Sequence, residues 1–306
     1  MSGYPAARPT PSGPARPGAG PDVARLAVLT EALGPDAARL LIGASVYREP
    51  ADRNALLFQV GQHDWAAGQT PGRHDPAPPY TEPAGLDEMV ATCEVVGLLA
   101  VGFVAPGDPA DREHPAVGRS DLPTVFVDRW TASELHRGLD TAGRGPDLTA
   151  AHLRAAGYWR WRSSAWPQDR RAALHDLLEA RHHLLMADET GPACELTEAV
   201  CSQLHLWGDL GREAALITDT LTWLPAGSAE RATWVHELGK IAQVRADYSE
   251  AERCYQQALD IFAAVGDRAG VSRSCHSLGV LAQAQGEYTR AELRYQQAAD
   301  AAHDPA

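Results

Sequence analysis

Two stretches of this chain are near copies of one another: HELGKIAQVRADYSEAERCYQQALDIF from His236 and HSLGVLAQAQGEYTRAELRYQQAAD from His276, offset by 40 residues. The matches include Leu238/Leu278, Gly239/Gly279, Ala242/Ala282, Tyr248/Tyr288, Ala251/Ala291, Tyr255/Tyr295 and Ala258/Ala298. A repeat of this length is one supersecondary unit that cannot bury its own apolar face, so units must stack and the two clear copies must lean on what precedes them. Each matched position has a task in a pair of crossing helices. The glycines let a partner helix approach closely, the alanines suit the crossing points, and Tyr255 and Tyr295 fill the gap towards the next unit. Ser249 with Glu252, and Thr289 with Glu292, read as capping boxes that start each second helix.

The L-G, A, Y and A positions, in this order and spacing, resemble the tetratricopeptide repeat over about residues 232–302. The departure is a period of 40 residues in place of 34, which predicts longer helices or a longer turn around GDRAGVS. Helices from Ala172 to Leu224 resemble degenerate copies. The resemblance implies that the first helix of each unit lines a concave groove that takes a protein or peptide. Carried onto this sequence, the groove positions are Thr233, His236, Lys240, Gln243 and Val244, then Arg273, His276, Val280, Gln283 and Ala284. Lys240 and Arg273 would clamp an acidic side chain or a C-terminal carboxylate, with the histidines and glutamines bonding peptide backbone. An ordinary solvated face is the competing reading of the same residues. The chain ends soon after Asp300 without an obvious polar capping helix, which suggests a partner at that end or a truncation.

Upstream, residues 1–21 are mostly Pro, Ala, Gly and Ser and read as a disordered tail. Helical periodicity starts at VARLAVLTEALG and continues in DAARLLIGASVYREP, where Leu40, Ala44 and Tyr47 share a stripe, and in DRNALLFQVGQ, with Asp52 as N-cap. A Pro/Gly-rich loop over about residues 62–84 precedes an amphipathic helix, LDEMVATCEVVG. The period then changes to that of strands in GLLAVGFV and TVFVDRW, separated by a polar loop over residues 105–122. Helices followed by a hairpin is the order of a winged helix. From Thr131, where TASE reads as a capping box, everything is helical. The expected fold is therefore mainly α: a winged-helix-like module (residues 22–136) with a small β-hairpin, linker helices and degenerate repeats (137–230), and an α-solenoid ending in two tetratricopeptide repeats (231–306).

A winged helix followed by helical repeats resembles the C-terminal half of bacterial signalling ATPases of the STAND class, most clearly in LLIGASVYREP and TVFVDRWTASELHR. The nucleotide-binding domain of that class has no counterpart here. A phosphate loop needs GxxxxGK[ST], and the only lysine, Lys240, is followed by Ile241 inside a repeat. The resemblance implies a regulatory or sensor piece, with a separate ATPase chain among its candidate partners.

Charge bears on the DNA-binding alternative, a winged-helix transcriptional regulator. The chain carries a formal −13, and residues 23–136 hold 8 arginines against 16 acidic residues. The helix that would enter a groove carries Asp87, Glu88 and Glu94 and no base, so phosphates repel it and nucleic acid is an unlikely partner. Five cysteines without a CxxC pair, no apolar leader and no span of membrane length fit a soluble cytoplasmic protein. Neither His182-His183 nor His236-Glu237 has the spacing of a metal site; Cys194 and Cys201, seven apart on one helical face, suit a packing stripe as well as a ligand pair, and no nucleophile elbow or dinucleotide loop occurs. The expectation is a non-enzymatic interaction protein without a cofactor; a site assembled in the 62–123 loops is the enzymatic alternative. Finally, YWRWRSSAWPQD at 158–169 reads as a helix braced between the winged-helix module and the first repeat, with Arg160 and Arg162 reaching solvent or nearby carboxylates.

Overall fold

The computed structural model describes residues 34–63, 80–81, 83–95, 97–103, 123–165 and 170–303. The tail, the helix expected from Val23, most of the two long loops with the enzymatic alternative placed there, and Trp166-Pro167 lie outside the described residues. The chain divides into two compact units, residues 1–189 and 190–306, so the stretch 137–230 belongs partly to each. No described helix is long and apolar enough to cross a membrane.

In the first unit, α1 (Pro35–Ser45) buries Leu40, Leu41, Ile42 and Ala44. Asp52 caps α2 (Arg53–Val60) as the sequence predicts, accepting from the Ala55 amide at 2.8 Å. Two short strands, β1 (Gln62–His63) and β2 (Tyr80–Thr81), pair antiparallel, and α3 (Leu86–Val95) follows, burying Leu86 and Cys93. β3 (Ala100–Phe103) and β4 (Pro123–Phe126) form an antiparallel ladder with Ala100 opposite Phe126, and Ala51 forms a bridge to Val125 on β4. α4 (Arg129–Thr141), α5 (Gly145–Ala165) and α6 (Arg170–Met186) complete this unit. The capping box expected at Thr131 is displaced. Asp128 is the N-cap and takes the Trp130 and Thr131 amides at 3.0 Å each, while Glu134 pairs with Arg137. An aspartate one turn upstream offers a charged acceptor to the first amides, and α4 therefore begins earlier.

The aromatic run explains why α5 and α6 belong to this unit. Tyr158, Trp159 and Trp161 are all buried, with the Tyr158 ring 5.8 Å from Tyr47 and 5.7 Å from Phe58. The Tyr158 hydroxyl donates to Asp52 Oδ2 at 2.8 Å, which ties α5 to the cap of α2. Arg160 is exposed, but Arg162 turns inward. Its guanidinium lies 4.7 Å from the Trp159 ring centre, and its Nε is 3.2 Å from the fully buried carboxylate of Asp176 on α6. The partners of this run thus come from residues 47–58 and 175–176, and the brace it forms is internal to the first unit. A buried carboxylate needs a buried cation, a demand that only the folded neighbourhood reveals.

The second unit is three helix pairs: α7 (Thr190–Leu206) with α8 (Leu210–Trp223), α9 (Ala229–Val244) with α10 (Tyr248–Val265), and α11 (Arg268–Ala284) with α12 (Tyr288–His303). The same turn closes each pair, with Gly208, Ala246 and Gly286 in the left-handed region at φ 71°, 59° and 80°. Cys201 from α7, Ile217 and Leu224, and Trp234 and Ile241 from α9 share one apolar cluster, with Cys194 packed against it as a stripe residue. Phe262 and Cys254 of α10 meet Ala232 and Val235 of α9 in the next, and Leu278 and Leu281 of α11 meet Ala251 and Tyr255 of α10 in the third. This is the stacked, solenoid-like arrangement that the repeat demands. The extra length of the period lies in helices of 18 and 17 residues, α10 and α11, because only Gly266 and Asp267 separate them. The cap of α10 is Asp247, which accepts from the Glu250 amide at 3.1 Å, in place of the expected Ser249 and Glu252. Glu252 instead pairs with Arg290 of the following helix pair.

Candidate functional site

The exposed stripe shared by α9 and α11 is where the sequence reading places recognition. Helical spacing puts Thr233, Glu237, Lys240 and Val244 along α9, and Arg273, His276, Val280 and Ala284 along α11. Lys240 is exposed, and its ammonium lies 2.7 Å from Glu237 Oε2. Glu237 is a stripe residue that the sequence reading missed, although its i,i+3 spacing from the lysine signals the pair. Burial raises the Glu237 pKa, but Lys240, bonded to it, and the neighbouring His236 together lower it by more, so the pKa lies below its ordinary value.

Arg273 is exposed, with its guanidinium 5.3 Å from the Phe262 ring centre. It occupies the position equivalent to Thr233, seven residues before the level of Lys240. At 1.5 Å per residue the two backbones are offset by about 10 Å along the helix axis. They serve as two separate points of contact, and Lys240 already has a carboxylate of its own. Gln243 and Gln283 each accept from the tyrosine of their own pair, Tyr255 at 2.8 Å and Tyr295 at 2.9 Å, which fixes the amide oxygens. Their NH2 groups are then the ends available as donors.

The two histidines separate. His276 is exposed, whereas His236 is 3% exposed, its Nε2 3.0 Å from Ser277 Oγ on α11. His236 therefore lies between α9 and α11 and not on the open stripe. Only the presence of the following helix distinguishes these two identical residues at equivalent positions.

The side chains that the stripe brings together are an ion pair, an arginine, a histidine and two oriented amides. That set recognises charge and hydrogen-bonding groups. Elsewhere, burial pushes the Cys93 and Cys254 thiols up to about 11, away from the thiolate form a nucleophile needs. His183 meets His152 with the Nδ1 atoms 2.9 Å apart, in the interior of the first unit. Among the described residues no group of three or more His, Cys, Asp or Glu side chains is arranged to hold a metal.

Residues 230–303 match the tetratricopeptide repeat family model. The second unit thus carries tetratricopeptide repeats over its α9–α12 helices, a kind of module that generally mediates protein–protein interaction. No curated protein matches the chain. Among solved structures, the crystal structure of BtubC (BKLC) from P. vanneervenii aligns at 18% identity and a TM-score of 0.40, covering 58% of this chain and 76% of that one. A likeness of that size carries no argument about fold or function.

Proposed function

We propose that this protein is a non-enzymatic interaction protein, a scaffold or regulatory piece that binds a protein or peptide through the stripe of α9 and α11. The observation that carries this reading is the stripe itself, on helices within the matched repeats: Arg273, His276 and the Gln243 and Gln283 amides face outward beside the Glu237–Lys240 pair. An extended segment with an acidic group for Arg273 and backbone carbonyls for the amides fits these donors. Residues 22–136, within the first unit, are proposed as a winged-helix-like module. Its support is the succession of α1, α2, α3 and the β3–β4 hairpin, together with the Ala51–Val125 bridge that adds a third strand position. On this order of elements we further place the protein beside the sensor halves of STAND-type ATPases, with a separate ATPase chain as a candidate partner and the cytoplasm as its site.

DNA binding through the first unit is the less favoured reading. Asp87, Glu88 and Glu94 are all exposed on α3, and the nearest arginine bond there, Arg53 to Asp87 at 2.7 Å, neutralises only one of them. The reading as an interaction protein is tested with the immobilised full chain and its Lys240→Glu/Arg273→Glu variant, exposed in parallel to extract from the source cells. A protein retained by the parent and lost by the variant is the expected result. Identical retained sets would refute the stripe as the binding surface.

A further inference from the structure

The chain carries a formal −13, yet three guanidiniums converge on one hollow of about 290 Å³ between α1 and α5. Arg39 lines it from α1, Arg144 from the residue before α5, and Arg154 from further along that helix. Asp147 is the one acid in the lining. Asp36, at the start of α1, lines a different hollow with Glu88 of α3. Gathering like charges around one space is unfavourable in itself, and the field concentrated there draws an anion.

Contacts within the fold account for only part of this cluster. Arg144 donates from Nε to Asp147 Oδ2 at 2.8 Å, a pair in which both side chains are half exposed. Arg154 is half-buried, and its Nε bond to Gln59 Oε1 at 3.2 Å fixes where its charge sits. Arg39 is exposed, and among the described residues its guanidinium takes part in no ion pair or hydrogen bond. The buried residues of that turn are its neighbours Ala38 and Leu40. The remaining wall of the hollow is apolar, formed by Pro35, Ile42 and Ala150. At about 30 Å³ per water, the space corresponds to about ten non-hydrogen atoms, more than a bare phosphate ion fills.

We infer that this hollow binds a small phosphate monoester, its phosphate held by the three arginines and its carbon part laid on Pro35, Ile42 and Ala150. Three guanidiniums less one carboxylate leave two positive charges in the lining, which match a phosphate dianion and exceed a lone carboxylate. The planar fork of each arginine suits two phosphate oxygens at once. The site lies wholly within the first unit and shares no residue with the repeat stripe, so its test is independent of the proposed function.

Glycerol 3-phosphate serves as the probe, because it has that size and its phosphate is its only charge. It is titrated into the full chain by isothermal calorimetry at low ionic strength, beside glycerol, inorganic phosphate and a phosphoserine peptide. Saturable one-to-one binding is expected, weakened about tenfold or more by Arg39→Gln/Arg144→Gln and measurably by Arg39→Gln alone, which breaks no bond of the fold. Affinity is unchanged in Arg160→Gln, an exposed arginine elsewhere on α5, and in Lys240→Glu/Arg273→Glu. Glycerol does not bind, and inorganic phosphate binds more weakly than the ester. No saturable binding, or binding that both arginine variants retain in full, overturns the inference. So does equal affinity for inorganic phosphate, which makes the hollow an ion site only. A phosphoserine peptide that binds where the small ester does not also overturns it, because the ligand is then a protein.

Discussion

Gly239→Ala and Gly279→Ala are chemically the same change at equivalent positions, and the structure gives them different outcomes. Each replaces a mid-helix glycine, which on helix propensity alone stabilises by about 1 kcal/mol. Each also places a Cβ 2.6 Å from a tyrosine ring, so that ring must retreat. Tyr255 has nowhere to go: it is 1% exposed, packed in one cluster with Leu278 and Leu281, set at a tilt against the His236 ring and bonded to Gln243. Overpacking a site so enclosed costs up to about 3 kcal/mol, which leaves Gly239→Ala about 2 kcal/mol less stable than the parent. Tyr295 is half-buried with an open outer side, and it can swing out at the loss of its bond to Gln283, about 1 kcal/mol. Gly279→Ala is therefore close to neutral. The assay is urea unfolding of the full-length variants with amide hydrogen exchange read separately over α9–α12, because two units make one global transition an unsafe assumption. Equal losses in the two variants, or a stabilised Gly239→Ala, would refute the account of the covered and open pairs.

Three further outcomes follow from the packing. Burial holds His152 near a pKa of about 3 and His183 near about 2, against 6.5 for the free side chain, so both are neutral in the fold. Their stabilising neutrality is complete above 6.5 and is lost as pH falls from there towards 3, at about 1.4 kcal/mol per pH unit for each histidine. A urea midpoint for the first unit that is flat from pH 7.5 to 5, or His152 and His183 resonances that titrate near 6.5, would contradict this. Ala246 holds a left-handed conformation at φ 59°, where the two equivalent turns have glycine. Ala246→Gly should raise the stability of the second unit by about 0.5–1 kcal/mol in the same urea experiment, and a loss would show that the turn carries no strain. Trp159→Ala removes a ring that is 3% exposed and under the Arg162 guanidinium, so it should cost the first unit about 3–5 kcal/mol and lower its melting temperature clearly. An unchanged melting temperature would refute the bracing role of the aromatic run.

Much of this protein was legible from local pattern. The 40-residue period, the glycine and alanine positions and the Asp52 cap all rest on contacts within one helix or between neighbours in the chain, and such contacts leave a periodic trace in the residues themselves. The caps lie three residues before Thr131, at Asp128, and two before Ser249, at Asp247, since a nearby aspartate competes for the same amides and residue type alone does not rank them. The Glu237–Lys240 pair was written in the spacing and overlooked. Tertiary structure alone decided the rest. Arg162 is drawn inward because Asp176, fourteen positions further along, lies buried beside it on α6, and α5 joins the first unit through Tyr158 on Tyr47, Phe58 and Asp52. His236 and His276 are the same residue in the same repeat position, yet one is sealed beneath Ser277 and the other faces outward. Sequence determines that each repeat has an apolar face to cover; whether it is covered depends on what lies next to it in space, because burial is a property of neighbours and not of the residue.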